Sequence, residues 1–322
     1  MKKVAFAVNG RPHQVLANDD DVLLDYLREQ LDLIGAKQSC DRKGQCGACT
    51  VIVDGKAALS CLTKLKKLDG AQVITVEGLG TPDNPHLIQH AFVLSGAIQC
   101  GFCTPGLIMA AKALLDQNPD PDEADIKKAL RRNICRCTGY VKIIEAVKLA
   151  ARFLRGEISP GEVAPKPSEA KIGVSHPRPS AYAKACGLAR FSADYKVPGA
   201  LEIAVVRSEI PHAAIKSIDA SAAGAMPGVE GVMTAKDIKG TNILKYLVAD
   251  RPVLCPDRVK YIGDPIALVA ARSRAEALAA ARAVKVDLEP LPVLESPEAA
   301  MAQDALQLHA EHGRSNLCYS QP

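Results

Sequence analysis

The chain is poor in aromatic residues and in excess charge. Its 322 residues include no tryptophan, seven tyrosines and five phenylalanines, and 40 lysines and arginines stand against 36 aspartates and glutamates, a net charge of +4. A groove for single-stranded nucleic acid needs stacking rings and a strong positive field. No apolar run in the sequence reaches the roughly 20 residues that a membrane-spanning helix takes. The sequence therefore predicts neither a nucleic-acid partner nor a membrane.

Nucleotide-binding motifs are also missing. No P-loop occurs, and Gly78-Leu79-Gly80-Thr81-Pro82 lacks the third spaced glycine of a dinucleotide fingerprint. Its proline also interrupts the start of a helix, so we interpret the segment as a turn. The chain is therefore not expected to bind NAD or FAD, and any electrons that it carries must leave to another protein or subunit.

The N-terminus shows no secretory signal. Met1-Lys2-Lys3-Val4 leads directly into an alternating apolar segment, with neither a signal-peptide core nor a twin-arginine start. This pattern predicts a cytoplasmic protein. Thiols stay reduced in the cytoplasm, so structural disulfides are not expected.

Cysteine, in contrast, is abundant, with 11 residues. Eight of them form two groups of four: Cys40, Cys46, Cys49 and Cys61, then Cys100, Cys103, Cys135 and Cys137. Four ligands are the usual set for one iron–sulfur cluster or one structural zinc ion, so the sequence predicts two metal centres. Single cysteines are often small buried apolar residues, and three receive no role on that ground: Cys186, Cys255 and Cys318.

The first group places three cysteines within ten residues, on a loop that glycines interrupt at positions 44 and 47. Glycine lets the backbone curl so that amide N–H groups face sulfur, as in a [2Fe–2S] ferredoxin loop. Structural zinc sites usually show two short-spaced ligand pairs set well apart. The spacing therefore favours a [2Fe–2S] cluster over zinc.

The second group consists of two close pairs, a spacing that a zinc ribbon also shows. However, Thr104-Pro105 and Thr138-Gly139 follow the two pairs, and each leads into an apolar pattern of helical period. Helix N-termini present free N–H groups and a positive dipole end, which favour an anionic thiolate cluster. We therefore predict a helical pocket, whereas a ribbon is built from strands.

Patterning divides the chain into several parts. Two hairpins are expected, one around the Asn9-Gly10 turn and one over 51–56, with a closing strand over 72–76 and a helix from Val22 to Leu31. Strands around one helix suit a β-grasp, ferredoxin-like unit.

Later segments have different patterns. Four helical stretches over 84–154 suit a small bundle, and the proline- and glycine-rich stretch 156–180 is typical of a linker. Beyond it, short apolar strands are expected over 201–206, 229–234, 266–270 and 284–288, and an alanine-rich helix over 275–281. These elements predict a separate α/β domain.

The cysteine motifs and the residues around them resemble one family closely. The strings are Gly44-Gln45-Cys46-Gly47-Ala48-Cys49, then Gln99-Cys100-Gly101-Phe102-Cys103-Thr104-Pro105-Gly106 and Cys135-Arg136-Cys137-Thr138-Gly139-Tyr140. Their order is similar to that of the molybdenum hydroxylases of the xanthine oxidase family, in particular the flavin-free aldehyde oxidoreductases of anaerobic bacteria. The resemblance continues through Pro198-Gly199-Ala200-Leu201, Pro211-His212-Ala213, Met226-Pro227-Gly228-Val229 and Tyr261-Ile262-Gly263-Asp264-Pro265-Ile266-Ala267. It therefore covers nearly the whole chain.

One departure from the family pattern lies in the first cysteine loop. The family usually places four residues between its first two cysteines, and here Asp41 to Gln45 makes five. A loop absorbs an insertion at small entropic cost, but a ligand loop must still aim its sulfurs. The insertion therefore bears on the exposure and potential of the first cluster more than on its existence.

The resemblance implies an α+β multidomain fold. The expected parts are a β-grasp ferredoxin-like [2Fe–2S] domain at 1–77, a four-helix [2Fe–2S]-binding domain at 78–155, a linker at 156–180, an α/β hammerhead-like domain at 181–300, and a connection to the molybdenum-binding part at 301–322.

The resemblance also implies a function. Two [2Fe–2S] clusters would carry electrons from a molybdopterin, through the second cluster and then the first, to a ferredoxin, a flavodoxin or a flavin subunit. Gln99 would contact the pterin through its amide and Cys137 as a cluster ligand, although Gln99 taken alone is as readily an ordinary polar helix-end residue.

Much of the enzyme would lie outside this chain. The pterin, in a dinucleotide form, would be held mainly by a missing part or a partner subunit, because the sequence ends about where the family's large molybdenum domains begin. No catalytic residue is expected here, and the resemblance leaves a dimer of the assembly open. His212 is more readily a satisfied structural histidine than a catalytic group. The basic cluster Lys64, Lys66 and Lys67 is either a solvated face or a docking patch for an acidic electron acceptor.

The expected activity is oxidation of an aldehyde with water to a carboxylic acid, because the iron–sulfur part leads into the next domain with no flavin domain between. One alternative is hydroxylation of a purine or another N-heterocycle. A stand-alone two-cluster electron carrier and a zinc-stapled interaction protein are alternatives of other classes. A free carrier should cover residues 181–322 with charge, whereas an enzyme subunit should leave apolar surface for a partner.

Overall fold

The computed structural model describes residues 1–165, 172, 174–245, 249–310 and 315–317. Parts of the linker predicted at 156–180 and of the connection predicted at 301–322 lie outside the described residues, as does Cys318. The chain forms two units, Met1–Tyr195 and Lys196–Pro322. Within the described residues, no helix is both long enough and apolar enough to cross a membrane.

The first unit begins with a five-stranded sheet in the order β2-β1-β5-β3-β4. Its strands are β1 (Lys2–Val8), β2 (Arg11–Ala17), β3 (Thr50–Val53), β4 (Lys56–Leu59) and β5 (Gln72–Ile74). β1 pairs antiparallel with β2 and parallel with β5. Asn9 and Gly10 both have positive φ, which suits the tight turn between β1 and β2. The two predicted hairpins are confirmed.

A short helix packs on this sheet. It runs over Leu23–Asp25 and widens into a π turn over Tyr26–Gln30, and we call both together α1. Its buried leucines share one core with β1 and β5. Val51 of β3 also faces this core, whereas Ile52 faces the helices that follow. Burial on both faces explains why β3 is apolar without alternation.

Four helices form the next part, as predicted. They are α2 (Leu87–Leu94), α3 (Thr104–Leu115), α4 (Glu123–Leu130) and α5 (Val141–Leu154). Phe92, Ile108, Ile126 and Ile143, one from each helix, are fully buried in their common core. The short helices α6 (Pro160–Val163) and α7 (Ala181–Ala185) follow.

The second unit contains two three-stranded sheets, in the orders β6-β10-β8 and β11-β7-β9. The strands are β6 (Glu202–Arg207), β7 (Ala213–Asp219), β8 (Val229–Thr234), β9 (Arg258–Val259), β10 (Pro265–Ala271) and β11 (Lys285–Pro290). The helices are α8 (Ser221–Gly224), α9 (Arg274–Ala283) and α10 (Pro297–Met301). The four predicted strands and the alanine-rich helix are confirmed, while β7 and β9 were not predicted. Residues 181–195 belong to the first unit; the division of domains by sequence, which starts the α/β domain at 181, stays a prediction.

Candidate iron–sulfur centres

The structure brings the first four cysteines together. Cys40, Cys46 and Cys49 lie on the loop between α1 and β3, and Cys61 follows β4. Their thiols form two hydrogen-bonded pairs, Cys40 with Cys46 and Cys49 with Cys61. The thiol of Cys61 also interacts electrostatically with that of Cys40, so the two pairs lie close together.

Backbone N–H groups face the sulfur of Cys40. Slight burial opposes ionisation of this thiol, but N–H groups of Cys46, Gln45 and Lys43 donate to the sulfur and lower its pKa to about 7. Burial raises the pKa of the Cys61 thiol to about 12. N–H donors stabilise a thiolate, so this loop suits the negative charge of an iron-bound sulfur.

Left-handed backbone absorbs the extra residue of this loop. Asp41, Arg42 and Gly44 have φ angles of 48°, 60° and 68°. For the two non-glycine residues this conformation costs roughly 1–2 kcal/mol each. The guanidinium of Arg42 donates to Asp25 of α1 at 2.8 Å, which holds the turn against the helix. The inserted residue is therefore taken up in a tight turn, and the four thiols still converge.

The second four cysteines also converge. Cys100 and Cys103 precede α3, whereas Cys135 and Cys137 precede α5. The hydrogen-bonded thiol pairs are Cys100 with Cys137 and Cys103 with Cys135. Cys100 also interacts electrostatically with Cys103, and Cys135 with Cys137. These two pairs therefore lie close together as well. Cys103 occupies the N-cap position of α3, and Thr104 is the first residue of this helix.

Two side chains organise the Cys135 end of this second group. The hydroxyl of Thr138 donates to the sulfur of Cys135 at 3.1 Å. The N–H of Cys135 donates to the hydroxyl of Tyr140 at 2.8 Å, and that hydroxyl donates to the carbonyl of Asn133 at 3.1 Å. Partial burial opposes ionisation of Cys135, but the bonds from Thr138 and from nearby N–H groups prevail and lower its pKa. Sequence reasoning assigned no role to Thr138 or Tyr140, although both lie in the string Cys135 to Tyr140 that resembles the family.

A buried contact joins the two groups. Gly47 lies so close to the backbone of Arg132 and Asn133 that a Cβ at this position would collide with the Arg132 carbonyl. The Asn133 amide donates to the carbonyl of Gly47 at 2.9 Å. Next to it, the N–H of Ile134 donates to the carbonyl of Cys46 at 2.9 Å. Cys46 of the first group is therefore one hydrogen bond away from the residue before Cys135.

The pairing of thiols fits two-iron clusters. A [2Fe–2S] cluster has four cysteine ligands shared by two irons, and each group offers two thiol pairs. In the part of the chain that the structure describes, no three Cys, His, Asp or Glu side chains meet the geometry of a single metal ion. The donor set and the N–H groups around it are those that an iron–sulfur cluster needs.

Gln99 lies beside the second cysteine group, and Cys137 belongs to it. Gln99 and Cys137 are exposed, and their predicted contact with a pterin stays a prediction. The ring Nδ1 of His212 lies 2.6 Å from the carbonyl of Pro292, and its Nε2 is buried with no partner among the described residues. Cys186 and Cys255 are buried.

The basic cluster near Cys61 is partly neutralised. Lys64 pairs with Asp20 at 3.3 Å and Lys66 with Asp19 at 2.8 Å. Both aspartates are exposed, so water screens these pairs. The two lysines therefore present ion pairs rather than bare positive charge, which weakens the hypothesis of a docking patch at this place.

Comparison with known proteins agrees with this geometry. A family described as "2Fe-2S iron-sulfur cluster binding domain" matches residues 6–73, and one described as "[2Fe-2S] binding domain" matches 75–148. A third, "Aldehyde oxidase and xanthine dehydrogenase, a/b hammerhead domain", matches 186–292. The predicted succession of a β-grasp ferredoxin-like part, a helical [2Fe–2S] part and a hammerhead part is confirmed.

Individual relatives are similar over long stretches. The aldehyde oxidoreductase of Megalodesulfovibrio gigas is 45% identical over 339 aligned residues, which cover 100% of this chain and 37% of that protein. The nicotinate dehydrogenase small FeS subunit of Eubacterium barkeri is 45% identical over 143 residues, 44% of this chain and 90% of that subunit. The crystal structure of the aldehyde oxidoreductase from Desulfovibrio desulfuricans superposes with a TM-score of 0.89 at 44% identity, over 99% of this chain and 37% of that one.

The chain belongs to the xanthine oxidase family of molybdenum hydroxylases. Within that family, two relatives that match over nearly its whole length are aldehyde oxidoreductases. It spans 37% of the length of each of these two proteins.

Proposed function

We propose that the chain is the electron-transfer part of a molybdenum-dependent aldehyde oxidoreductase, which converts an aldehyde and water to a carboxylic acid. The observation that carries the proposal is the joining of two four-cysteine groups by the hydrogen bond between Ile134 and Cys46. Electron transfer from one cluster to another requires the two clusters to lie close together, and this contact brings the two cysteine groups together. The similarity to aldehyde oxidoreductases over the whole chain supports the choice of substrate class.

The eight cysteines would hold two [2Fe–2S] clusters, which supply one-electron transfer when bound. The role of the protein is to hold the sulfurs, to donate hydrogen bonds to them and to exclude water. Cys46, Cys49 and Cys61 are buried, and the N–H groups around Cys40 cover the remaining sulfur of the first group. A peptide path leads from Cys135 through the N–H of Ile134 to the carbonyl of Cys46, and a single hydrogen bond closes it.

Contacts beyond this chain complete the proposal. Gln99 and Cys137 would contact a molybdopterin, in a dinucleotide form, that is held by the remaining part of the enzyme or by a partner subunit. Their exposure supports this role, because a contact residue must be reachable. A ferredoxin, a flavodoxin or a flavin subunit would take the electrons near the first group. The assembly would work in the cytoplasm, where cysteine ligands stay reduced.

The proposed domains are 1–77, 78–155, 181–300 and the connection at 301–322, with the linker at 156–180. The three family matches, at 6–73, 75–148 and 186–292, support this division because each falls almost wholly within one of the proposed domains.

Hydroxylation of an N-heterocycle is the second candidate. The similarity to a nicotinate dehydrogenase subunit favours it for the first half of the chain. The stand-alone carrier has less support, because large apolar side chains of the second unit stay exposed: Val197 at 69%, Ile203 at 62% and Ile262 at 67%. A free carrier was expected to cover this unit with charge instead.

The test begins with iron, acid-labile sulfide, zinc and molybdenum in anaerobically purified chain. We expect about four iron and about four sulfide per chain and two distinct EPR signals after reduction with dithionite. Zinc in place of iron, without an EPR signal, would contradict the proposal. Molybdenum should appear only when a partner or the remaining part of the enzyme is present.

Single variants assign the signals. Cys61→Ala should remove one EPR signal and about two iron, and Cys103→Ala should remove the other. Cys255→Ala is the matched control, since this cysteine is also buried but lies in neither group. Loss of both signals in every variant would show a fold that depends on each thiol rather than two separate centres. Oxidation assays of an aldehyde against nicotinate, with the assembled enzyme, would separate the two substrate classes.

A further inference from the structure

The end of the linker and the residues after it bind back onto the second cysteine group. We call residues 178–194 the strap; they include α7 and a single helical turn at Ser192–Asp194. The guanidinium of Arg178 and the ammonium of Lys184 both donate to the carbonyl of Gln99, at 3.0 Å and 2.9 Å. Gln99 directly precedes Cys100, so two cations meet on the peptide group that leads into a cluster ligand.

The same peptide group also donates a hydrogen bond to a sulfur of the second cysteine group. Its N–H belongs to Cys100 and donates to the sulfur of Cys137. A hydrogen bond at the carbonyl polarises the peptide and strengthens the bond from its N–H, by about 10–30% in condensed phases. Arg178 and Lys184 therefore act on the Cys137 sulfur through one peptide group, without touching it.

Packing holds the strap at this place. The stem of Lys184 lies so close to Gly101, whose φ is +88°, that a Cβ there would collide with it. The ring of Phe191 meets the ring of Phe102 edge to face, with centroids 5.2 Å apart. Gly101 and Phe102 are the two residues between Cys100 and Cys103, so the strap contacts the whole of that short turn.

A buried ionic network anchors the far end of the strap. Asp194 pairs with Arg28 and with Lys37, the latter at 3.2 Å, and the Lys37 and Asp194 side chains are only 3% and 2% exposed. The N–H of Phe191 donates to Asp194 at 2.8 Å, and the Lys37 ammonium lies 4.8 Å from the centre of the Phe191 ring. Removing one partner of a buried ion pair would leave an uncompensated charge, so these contacts hold the C-terminal end of the strap in place.

On the basis of the function proposed above, we propose that the strap tunes the second cluster, with Lys184 and Arg178 as positioning residues that strengthen the N–H···S bond from Cys100 to Cys137. A reduced cluster carries one more negative charge than an oxidised one. A stronger N–H donor and two nearby cations favour the reduced form, so they raise the potential of this cluster relative to the first.

The test is an EPR-monitored redox titration of the holo-protein, with the first cluster as internal reference. Lys184→Met keeps the stem that packs on Gly101 and removes the cation. We expect the second cluster to become harder to reduce by about threefold to tenfold, which is about 28 to 59 mV for one electron, while the first cluster is unchanged. Arg178→Met should act in the same direction, and the double variant more strongly. Solvent reaches both cations, so the shift should shrink at high salt.

Two further variants separate tuning from general damage. Lys148→Met removes an exposed lysine that pairs with Glu123 on the surface of the same helical part, and it should shift neither potential. Lys184→Arg keeps the positive charge and should restore most of the wild-type potential.

Equal shifts of both clusters, no shift in the double variant, or an equal shift in Lys148→Met would each overturn the tuning proposal and leave the electron-transfer function standing. A wild-type chain that shows no second EPR signal would overturn both.

Discussion

Replacing Gly47 by alanine tests whether the two cysteine groups depend on direct backbone contact. The φ of Gly47 is +68°, a conformation that costs other residues roughly 1–2 kcal/mol. The new Cβ would also collide with the carbonyl of Arg132 and the Cα of Asn133, and these backbone atoms cannot rotate away. Relief requires the segment to move, which weakens the hydrogen bonds from Asn133 and Ile134 at roughly 1 kcal/mol each. We expect a total loss of about 3–4 kcal/mol.

Gly55→Ala is the matched control. Gly55 also has a positive φ, of 77°, but no atom lies within 4 Å of the place that a Cβ would take there, so strain alone should cost about 1–2 kcal/mol. Unfolding of a metalloprotein is often irreversible, so apparent midpoints are compared at one scan rate. For a unit of this size, each kcal/mol lowers the midpoint by about 2–4 °C.

The Gly47→Ala midpoint should therefore fall about twice as far as that of Gly55→Ala, and the interaction between the two EPR signals should weaken. Equal falls in the two variants, with unchanged EPR spectra, would show that the loop carrying Cys46 and Cys49 does not rely on its contact with the Asn133 segment. The close approach of Gly47 to the Asn133 segment would then contribute nothing to stability.

Three further predictions concern the anchor of the strap and a sulfur ligand. Asp194→Asn should destabilise the first unit by about 3–5 kcal/mol, because Lys37 and Arg28 lose their partner in a buried site; thermal unfolding measures this. Burial opposes ionisation of Asp194, but Arg28, the Phe191 N–H and Lys37 prevail and lower its pKa, so its stabilising effect is present above its ordinary pKa and is lost as pH falls through the lowered value. Thr138→Val should make the second cluster harder to reduce, because the hydrogen bond to Cys135 is lost; redox titration checks this.

Each of these has its own control. The difference in stability between wild type and Asp194→Asn, followed from pH 7 downwards, isolates this carboxylate from all others; a difference that grows toward acid pH would contradict the sign argued above. Thr138→Ser keeps the hydroxyl and should keep the potential. If Thr138→Ser and Thr138→Val shift the second cluster equally, packing rather than the hydrogen bond is responsible.

Local patterning was enough to predict most elements around the site. The Asn9-Gly10 turn, the apolar periodicity of the four helices and the cysteine spacing are all short-range signals, and each corresponds to an observed feature. β7 was not predicted because its two leading alanines and its Lys216-Ser217 step interrupt the apolar alternation. β9 has two residues, too few for any periodicity.

Contacts between distant residues could not be predicted from patterns. The pairing of Lys37 with Asp194 spans 157 residues, and the bond from Asn133 to Gly47 spans 86. Neither residue pair has a spacing, a period or a charge run that marks it. In the sequence, a lone aspartate in a single helical turn is typical of a helix cap, and a lone lysine after a helix is typical of the surface. Only the fold places the two together in a buried site.

The same distinction explains where this chain differs from a simple pair of ferredoxin modules. Short-range motifs place four sulfurs in each group, but long-range contacts determine how the groups are related: Gly47 against Asn133 on one side, and the strap on the other. The strap contacts Lys37 near the first group and Gln99 beside the second. Because the strap contacts both, it can maintain the distance between the two cysteine groups while its cations determine the charge around the second group. Distance and potential difference together govern electron transfer between two centres, so the strap is one part of the chain where a change in sequence can adjust that transfer without changing a ligand.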